Sequence, residues 1–255
     1  MARSELSPTE ETILDRLTAV QIKLEAINSE VFAAARREIR QGGGREWLLG
    51  WLPGLCSPLA QRHEGYDYLD DVITGVLQFE EPDNTMVRPT EEMVFYQPTP
   101  ARHIFDLLDR TALTQEDVLV DIGSGLGHVP ILTAICTNAC SVGVEVEPSY
   151  VACAKHAVES LNLKKIRFVE QDVRAANFEV GTVFYLYTPF TGTLLRTTLD
   201  SLREEAQTRA IRICTFGPCT SVIAAESWLE GVGETGPDRI SIFRSRFPCC
   251  KKICG

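Results

Sequence analysis

Residues 118–127 read VLVDIGSGLG and run directly into HVPILTAIC at residues 128–136. The apolar run from Val118 to Ile122 has the pattern of a short buried strand. The three glycines that follow predict a tight turn, and Val129 to Ile135 open a helix. Glycine suits such a turn because the backbone must take conformations that a side chain forbids and come close to a ligand, while the helix N-terminus presents free N–H groups. The stretch therefore predicts a strand, a loop that holds a nucleotide-like ligand, and a helix, which is the opening of an α/β fold.

Gly123, Gly125 and Gly127 are spaced GxGxG, whereas the dinucleotide fingerprint requires GxGxxG, and residue 128 is His. The spacing speaks against an NAD-dependent dehydrogenase. Asp121, at the end of the strand, suits a ligand with an ammonium group better than one with a phosphate there. DIGSGLG, followed by VGVEV with Glu145 at the end of the next strand, resembles the cofactor loop of class I S-adenosylmethionine-dependent methyltransferases. The resemblance implies S-adenosylmethionine as cofactor, with Asp121, Gly123, Ser124, Gly125 and Gly127 forming the loop against it.

A chain of 255 residues holds one α/β domain plus an extension. Its net charge of −10 and pI near 5.0 provide no broad basic field, which speaks against nucleic acid as a partner. The opening MARSELSPTEE has no apolar signal core, and no apolar run reaches the roughly 20 residues of a spanning helix, so a soluble, cytoplasmic protein is expected. Among the nine cysteines, Cys136, Cys140, Cys153 and Cys214 fall within apolar patterns and are expected to be buried and free. The tail FPCCKKICG carries Cys249, Cys250 and Cys254 at a spacing that matches no standard zinc pattern, so no metal is expected.

Ser7-Pro8-Thr9-Glu10 forms a capping box with proline at the first helical position, a strong helix start. Ile13, Leu17, Val20, Leu24, Ile27 and Val31 then step by four and three until Gly42-Gly43-Gly44 stops the helix. This seam fits either a homodimer through the N-terminal helix or a helix laid along its own domain. The short length, about three heptads, favours the second reading. Trp47, Leu48, Leu49, Trp51 and Leu52 form an apolar cluster that must pack on something, and a lid over the ligand cleft is one place for it. Leu69, Ile73 and Leu77 predict another helix within residues 65–79, and an acidic, proline-containing loop follows.

From Thr99-Pro100 onward the pattern alternates helix and strand: a helix at 102–110, the strand of the glycine loop, then SVGVEV, KIRFVEQDV, GTVFYLYTP and AIRICTFGP with helices between. Such alternation predicts a doubly wound, mainly parallel sheet. LEGVGETGPDRISIFRSR, with Gly-Pro-Asp between two strand-like runs, adds a C-terminal antiparallel hairpin and brings the sheet to seven strands. Residues 1–95 are expected to form a helical extension or lid, and residues 96–255 the Rossmann-like domain.

Ligands of such sheets lie at the carboxyl ends of the strands. Glu145 is placed to hold the ribose hydroxyls, with Glu147 the weaker candidate. The resemblance implies that Asp172 holds the adenine amino group and that Val173 packs on its ring. Tyr96-Gln97-Pro98-Thr99-Pro100 resembles the Y-x-P-T-P segment that precedes the glycine loop in a subset of seven-strand lysine methyltransferases. By that resemblance Tyr96 and Thr99 close over the methionine end of the cofactor. Tyr187-Thr188-Pro189-Phe190 occupies the position of the acceptor motif of amine methyltransferases but lacks its amide or acid. It is nearer the aromatic version seen in lysine methyltransferases, and it makes Tyr96, Tyr187 and Phe190 the expected catalytic slot, with Tyr187 also against the cofactor. Methylation of a protein lysine is the first reading. A small-molecule N- or O-methyltransferase, or a catalytically weak scaffold acting through its N-terminal helix, are the alternatives. His128 and His103 are expected to cap or pack rather than act as bases.

Overall fold

In a computed structural model of the chain, residues 7–50, 65–79, 82 and 90–246 are described. Seven strands form one sheet in the order β3-β2-β1-β4-β5-β7-β6, comprising β1 (Val118–Ile122), β2 (Cys140–Glu145), β3 (Ile166–Glu170), β4 (Val183–Leu186), β5 (Arg212–Thr215), β6 (Leu229–Gly231) and β7 (Ser241–Ser245). The first five run parallel; β7 lies antiparallel to both β5 and β6, so the C-terminal hairpin forms as its sequence predicts. The chain winds outward from β1 through β2 to β3, then returns to place β4 on the other side. That reversal between β1 and β4 opens a crevice at the strands' carboxyl ends.

Strand residues alternate between two apolar layers, as the period of two requires. Leu119, Val183 and Tyr185 face a core shared with α4 (Ala101–Thr111), α5 (His128–Cys136) and α6 (Pro148–Ser160). Val120, Ile122, Phe184 and Leu186 face the other core, filled by α7 (Gly192–Thr208) and α8 (Cys219–Ala224). The first core continues into the N-terminal segment, where Ala35 and Ile39 of α1 (Pro8–Gln41), Leu48 of α2 (Gly44–Gly50) and Ile73 of α3 (Tyr68–Leu77) join it.

The Ser7–Glu10 capping box forms, and Gly42 ends α1 in the left-handed conformation at φ 87°. Only the last turns of α1 pack on the body. Arg36 donates to the Gly75 carbonyl at 3.0 Å and Arg40 to that of Ser160 at 2.7 Å, whereas residues 9–30 are exposed at every position. Among the described residues, the expectation of a helix laid along its own domain therefore fails over most of its length: the apolar seam faces outward, and no described part of the body covers it.

Two further expectations are corrected. Cys140 is exposed and Cys153 only half-buried, because β2 begins at the sheet's rim and one face of α6 meets water; Cys136 and Cys214 are buried as expected. Trp47 packs against the first core rather than over the cleft, while Trp51, Leu52 and the cysteines of the tail lie outside the described residues. Among the described residues no helix is long and apolar enough to cross a membrane, and no cluster of three or more His, Cys, Asp and Glu could hold a metal.

Candidate active site

The crevice outside β1 and β4 widens into a cleft of about 1000 Å³, at the large end of ordinary ligand pockets. Its floor is the glycine loop. The N–H groups of Gly123 and Ser124 donate to the Val144 carbonyl at 2.9 and 3.1 Å, which staples the loop to the end of β2. Gly123, Gly125 and Gly127 all have positive φ, at 79°, 52° and 88°. At Gly125 the requirement is double, since a Cβ there would lie 2.0 Å from the Tyr96 ring. Gly127 serves close packing instead: it abuts Phe168 and Ala154 where α5 begins.

Asp121, next to last in β1, is 4% exposed and lines the cleft. Burial, and then the neighbouring Glu145 carboxylate, hold its carboxyl well above the usual range. A buried acid beside a second acid is a poor home for an anion and a good one for an ammonium group. Glu145 is already engaged. Its Oε2 accepts from Gly125 N–H at 2.8 Å, and its Oε1 accepts from Val146 and Glu147 N–H at 2.7 and 2.9 Å. A carboxylate has about four acceptor sites, so roughly one remains for a ribose hydroxyl. Glu147 caps α6, accepting from Ser149 N–H at 3.1 Å.

Asp172 and Val173 both line the cleft, as expected of an adenine site. In the free protein the Asp172 carboxylate is held by Arg174, with Nε at 3.0 Å and Nη2 at 2.6 Å, and that bonding lowers its pKa. Their side chains are 38% and 67% exposed, so the pair contributes little and yields readily to a ligand.

Residues 90–99 form a strap along the opposite wall. Glu92, 101 and 102 residues distant in sequence from its partners, caps α7 by accepting from Thr193 and Leu194 N–H, each at 2.9 Å. Those contacts lower the Glu92 pKa. Val94 N–H then donates to the Pro189 carbonyl at 3.2 Å, and Met93 bridges to Phe190. Tyr96 lays its ring over Gly125, packs on Tyr150 with centroids 5.0 Å apart, and brings its hydroxyl 3.3 Å from His128 Nδ1. Thr99 reaches into the interior, where its Oγ1 lies 2.9 Å from the Tyr185 hydroxyl. The far end is fixed by residues of α3 and its approach: Tyr66 donates to the Pro98 carbonyl at 2.7 Å, and Asp70 accepts from Ala101 N–H at 2.7 Å. The helix predicted within residues 65–79 thus supports the strap.

Tyr187 donates to Gln97 Oε1 at 3.3 Å and stacks at 4.9 Å on Phe216, and burial raises its phenol pKa, which keeps it a neutral donor. Thr188 is left-handed at φ 41°, a strained turn secured by Cys219 N–H donating to its Oγ1 at 3.1 Å. Phe190 is 5% exposed at the cleft edge. Part of the His128 ring meets solvent, yet its desolvation lowers the imidazole pKa to about 4, and the ring packs 4.6 Å from Phe79. His103 is buried against Phe216. Both histidines therefore pack, as their positions in the sequence suggest.

Of the expected site residues, Tyr96, Thr99, Asp121, Gly123, Ser124, Glu145, Asp172, Val173, Tyr187 and Phe190 all border one cleft, while Gly125 and Gly127 shape its floor from behind. Sequence reasoning missed Glu92, Tyr150 and Arg174. Tyr150 had a local signal, standing two residues beyond the proline that opens α6; Glu92 had none. The cradle fits S-adenosylmethionine: a buried acid for its ammonium, backbone-lined space at the glycines, and the Ser124 hydroxyl, buried without a hydrogen-bond partner among the described residues.

Residues 92–182 match the family model described as histone methylation protein DOT1. No curated protein matches the chain. Among solved structures, an RNA methyltransferase from Salinibacter ruber in complex with S-adenosyl-L-homocysteine is 24% identical, over 58% of this chain and 92% of that one, with a TM-score of 0.47. A SAM-dependent methyltransferase from Aquifex aeolicus is 15% identical over 56% and 87%, with a TM-score of 0.42. TrmN from Thermus thermophilus is 15% identical over 56% of this chain and 48% of its own, with a TM-score of 0.44. The strand order, the acid-flanked glycine loop and the family match over that loop are those of class I S-adenosylmethionine-dependent methyltransferases.

Proposed function

We propose that the enzyme methylates the side-chain nitrogen of a lysine on a protein. The observation that carries this reading is the aromatic wall of Tyr96, Tyr187 and Phe190 on one cleft with Asp121 at its floor. When bound, S-adenosylmethionine supplies a methyl group already activated by its sulfonium, so the chain has to position and dry the acceptor rather than supply a strong base. Asp121 would hold the ammonium end, Glu145 the ribose, and Asp172 with Val173 the adenine.

An amine must arrive unprotonated to attack. Desolvation between aromatic rings lowers an amine's pKa, which is the service the slot offers. The neutral Tyr187 hydroxyl, fixed by Gln97, orients the wall without adding a charge.

Two features favour a protein acceptor. Phe95 stands 88% exposed and Val94 48% exposed at the mouth, apolar surface that a docked chain would cover. The net charge of −10 complements a basic segment. The matching family is described by histone methylation, which accords with a basic protein substrate. The second reading, a small-molecule acceptor, rests on the volume of the cleft, about 1000 Å³.

Radiolabelled methyl transfer onto a host lysate, split into protein and small-molecule fractions, tests this. Label is expected on lysines of protein and lost with Tyr187→Ala. Label confined to small molecules overturns the protein reading, and protein label that survives Tyr187→Ala shows the acceptor slot to lie elsewhere.

A further inference from the structure

We propose that the protruding part of α1 pairs with the same segment of a second copy as an antiparallel two-stranded coiled coil. Ile13, Leu17, Val20, Leu24 and Ile27 are 54–61% exposed on one stripe of a helix that runs free of the body for about 33 Å. Most helical stability in proteins comes from packing of an apolar face, and large apolar side chains at every seam position make exposure unfavourable. The stripe needs a partner.

Self-complementarity points to this chain. In the heptad frame, Leu17, Leu24 and Val31 take position a, and Ile13, Val20 and Ile27 take d. Antiparallel pairing centred near Ile22 sets Ile13 against Val31, Leu17 against Ile27 and Val20 against Leu24 of the other copy, so no seam residue is left over. The same register brings Arg16 beside Glu30 of the other copy, twice by symmetry. Lys23 meets its counterpart at the centre, one like-charge contact against two opposite-charge ones. Parallel pairing would instead place Arg16 beside Gln21 and Lys23 beside Asn28, with no charge pair.

Geometry agrees with charge. The body is attached to α1 only from Val31 onward, through Ala35 and Ile39. Antiparallel pairing puts the two bodies at opposite ends, with their Ala35 positions about 40 Å apart along the axis. Parallel pairing would press both bodies against each other at the same end.

The test is independent of the methyltransferase reading, since it measures mass and not activity. Sedimentation equilibrium of the full chain under reducing conditions is expected to show a dimer, and Leu17→Asp/Leu24→Asp a folded monomer that still binds S-adenosylhomocysteine. Arg16→Glu should weaken the dimer on the order of tenfold, because two attractive pairs become repulsive. Adding Glu30→Arg should restore it. A wild-type monomer at the highest soluble concentration overturns the proposal. So does a dimer that survives Leu17→Asp/Leu24→Asp, or one weakened as much by the double charge exchange as by Arg16→Glu alone.

Discussion

Asp121 and Glu145 lie at the carboxyl ends of neighbouring parallel strands, Asp121 one residue before the last, and the charge of the second adds to burial in keeping the first protonated well above the usual carboxylate range. A bound ammonium reverses that preference, so cofactor binding is expected to release a proton in the pH range where free Asp121 is still protonated. Affinity should fall as pH drops below the raised pKa, by about tenfold per unit at the limit. Calorimetry in two buffers of different ionisation enthalpy measures the proton directly.

The same shift has a cost in stability. The folded chain holds a proton on Asp121 that the unfolded chain has released, so this residue's contribution worsens as pH rises from the ordinary carboxylate value through the raised one. Asp121→Asn should therefore raise the melting temperature at neutral pH while weakening S-adenosylmethionine binding by about 1.5–3 kcal/mol, the worth of a hydrogen bond to a charged group. A variant that loses both stability and binding would assign Asp121 to the scaffold.

Gly125→Ala places a methyl 2.0 Å from the Tyr96 ring at a φ of 52°. Strain of about 1–3 kcal/mol is expected, together with a displaced ring and a higher KM for the cofactor. Tyr96→Ala in the same chain should return part of the stability and none of the affinity; denaturant titration and isothermal calorimetry separate the two.

Thr99→Val leaves the Tyr185 hydroxyl buried without the partner it has at 2.9 Å. The expected loss is about 1–3 kcal/mol in urea unfolding. Thr99→Ser keeps the bond and should stay close to the wild type.

Glu92→Ala removes the α7 cap and loosens the outer end of the strap. The KM for S-adenosylmethionine should rise several-fold with kcat less affected. Because the Glu92 pKa is lowered in the fold, its contribution is present above the ordinary glutamate value and is lost as pH falls through the lowered one. Wild type and variant should therefore converge in acid, as thermal melts across that range will read.

The parts of the site legible in the sequence are those built from near neighbours. The glycine loop, Asp121 and Glu145 sit at strand ends that periodicity locates, and the reversal between β1 and β4 brings them together. Glu92 carries no local signal because its partners lie 101 and 102 residues away, and Asp70 caps α4 across a connection no local pattern reports. The α1 seam was visible as a stripe. Periodicity says that a face is apolar, not what it faces, and here no described part of the body covers it.

The strap's two anchors differ in depth: the Thr99–Tyr185 bond is buried, whereas the Glu92 contacts are at the surface. The strap is thus held more firmly at its inner end than at its outer one. Loosening of the strap is expected to start at residue 92 and to free the Tyr96 ring from Gly125 before it disturbs Thr99. Cofactor exchange is therefore expected to depend on the surface contacts of Glu92 rather than on the buried Thr99–Tyr185 bond.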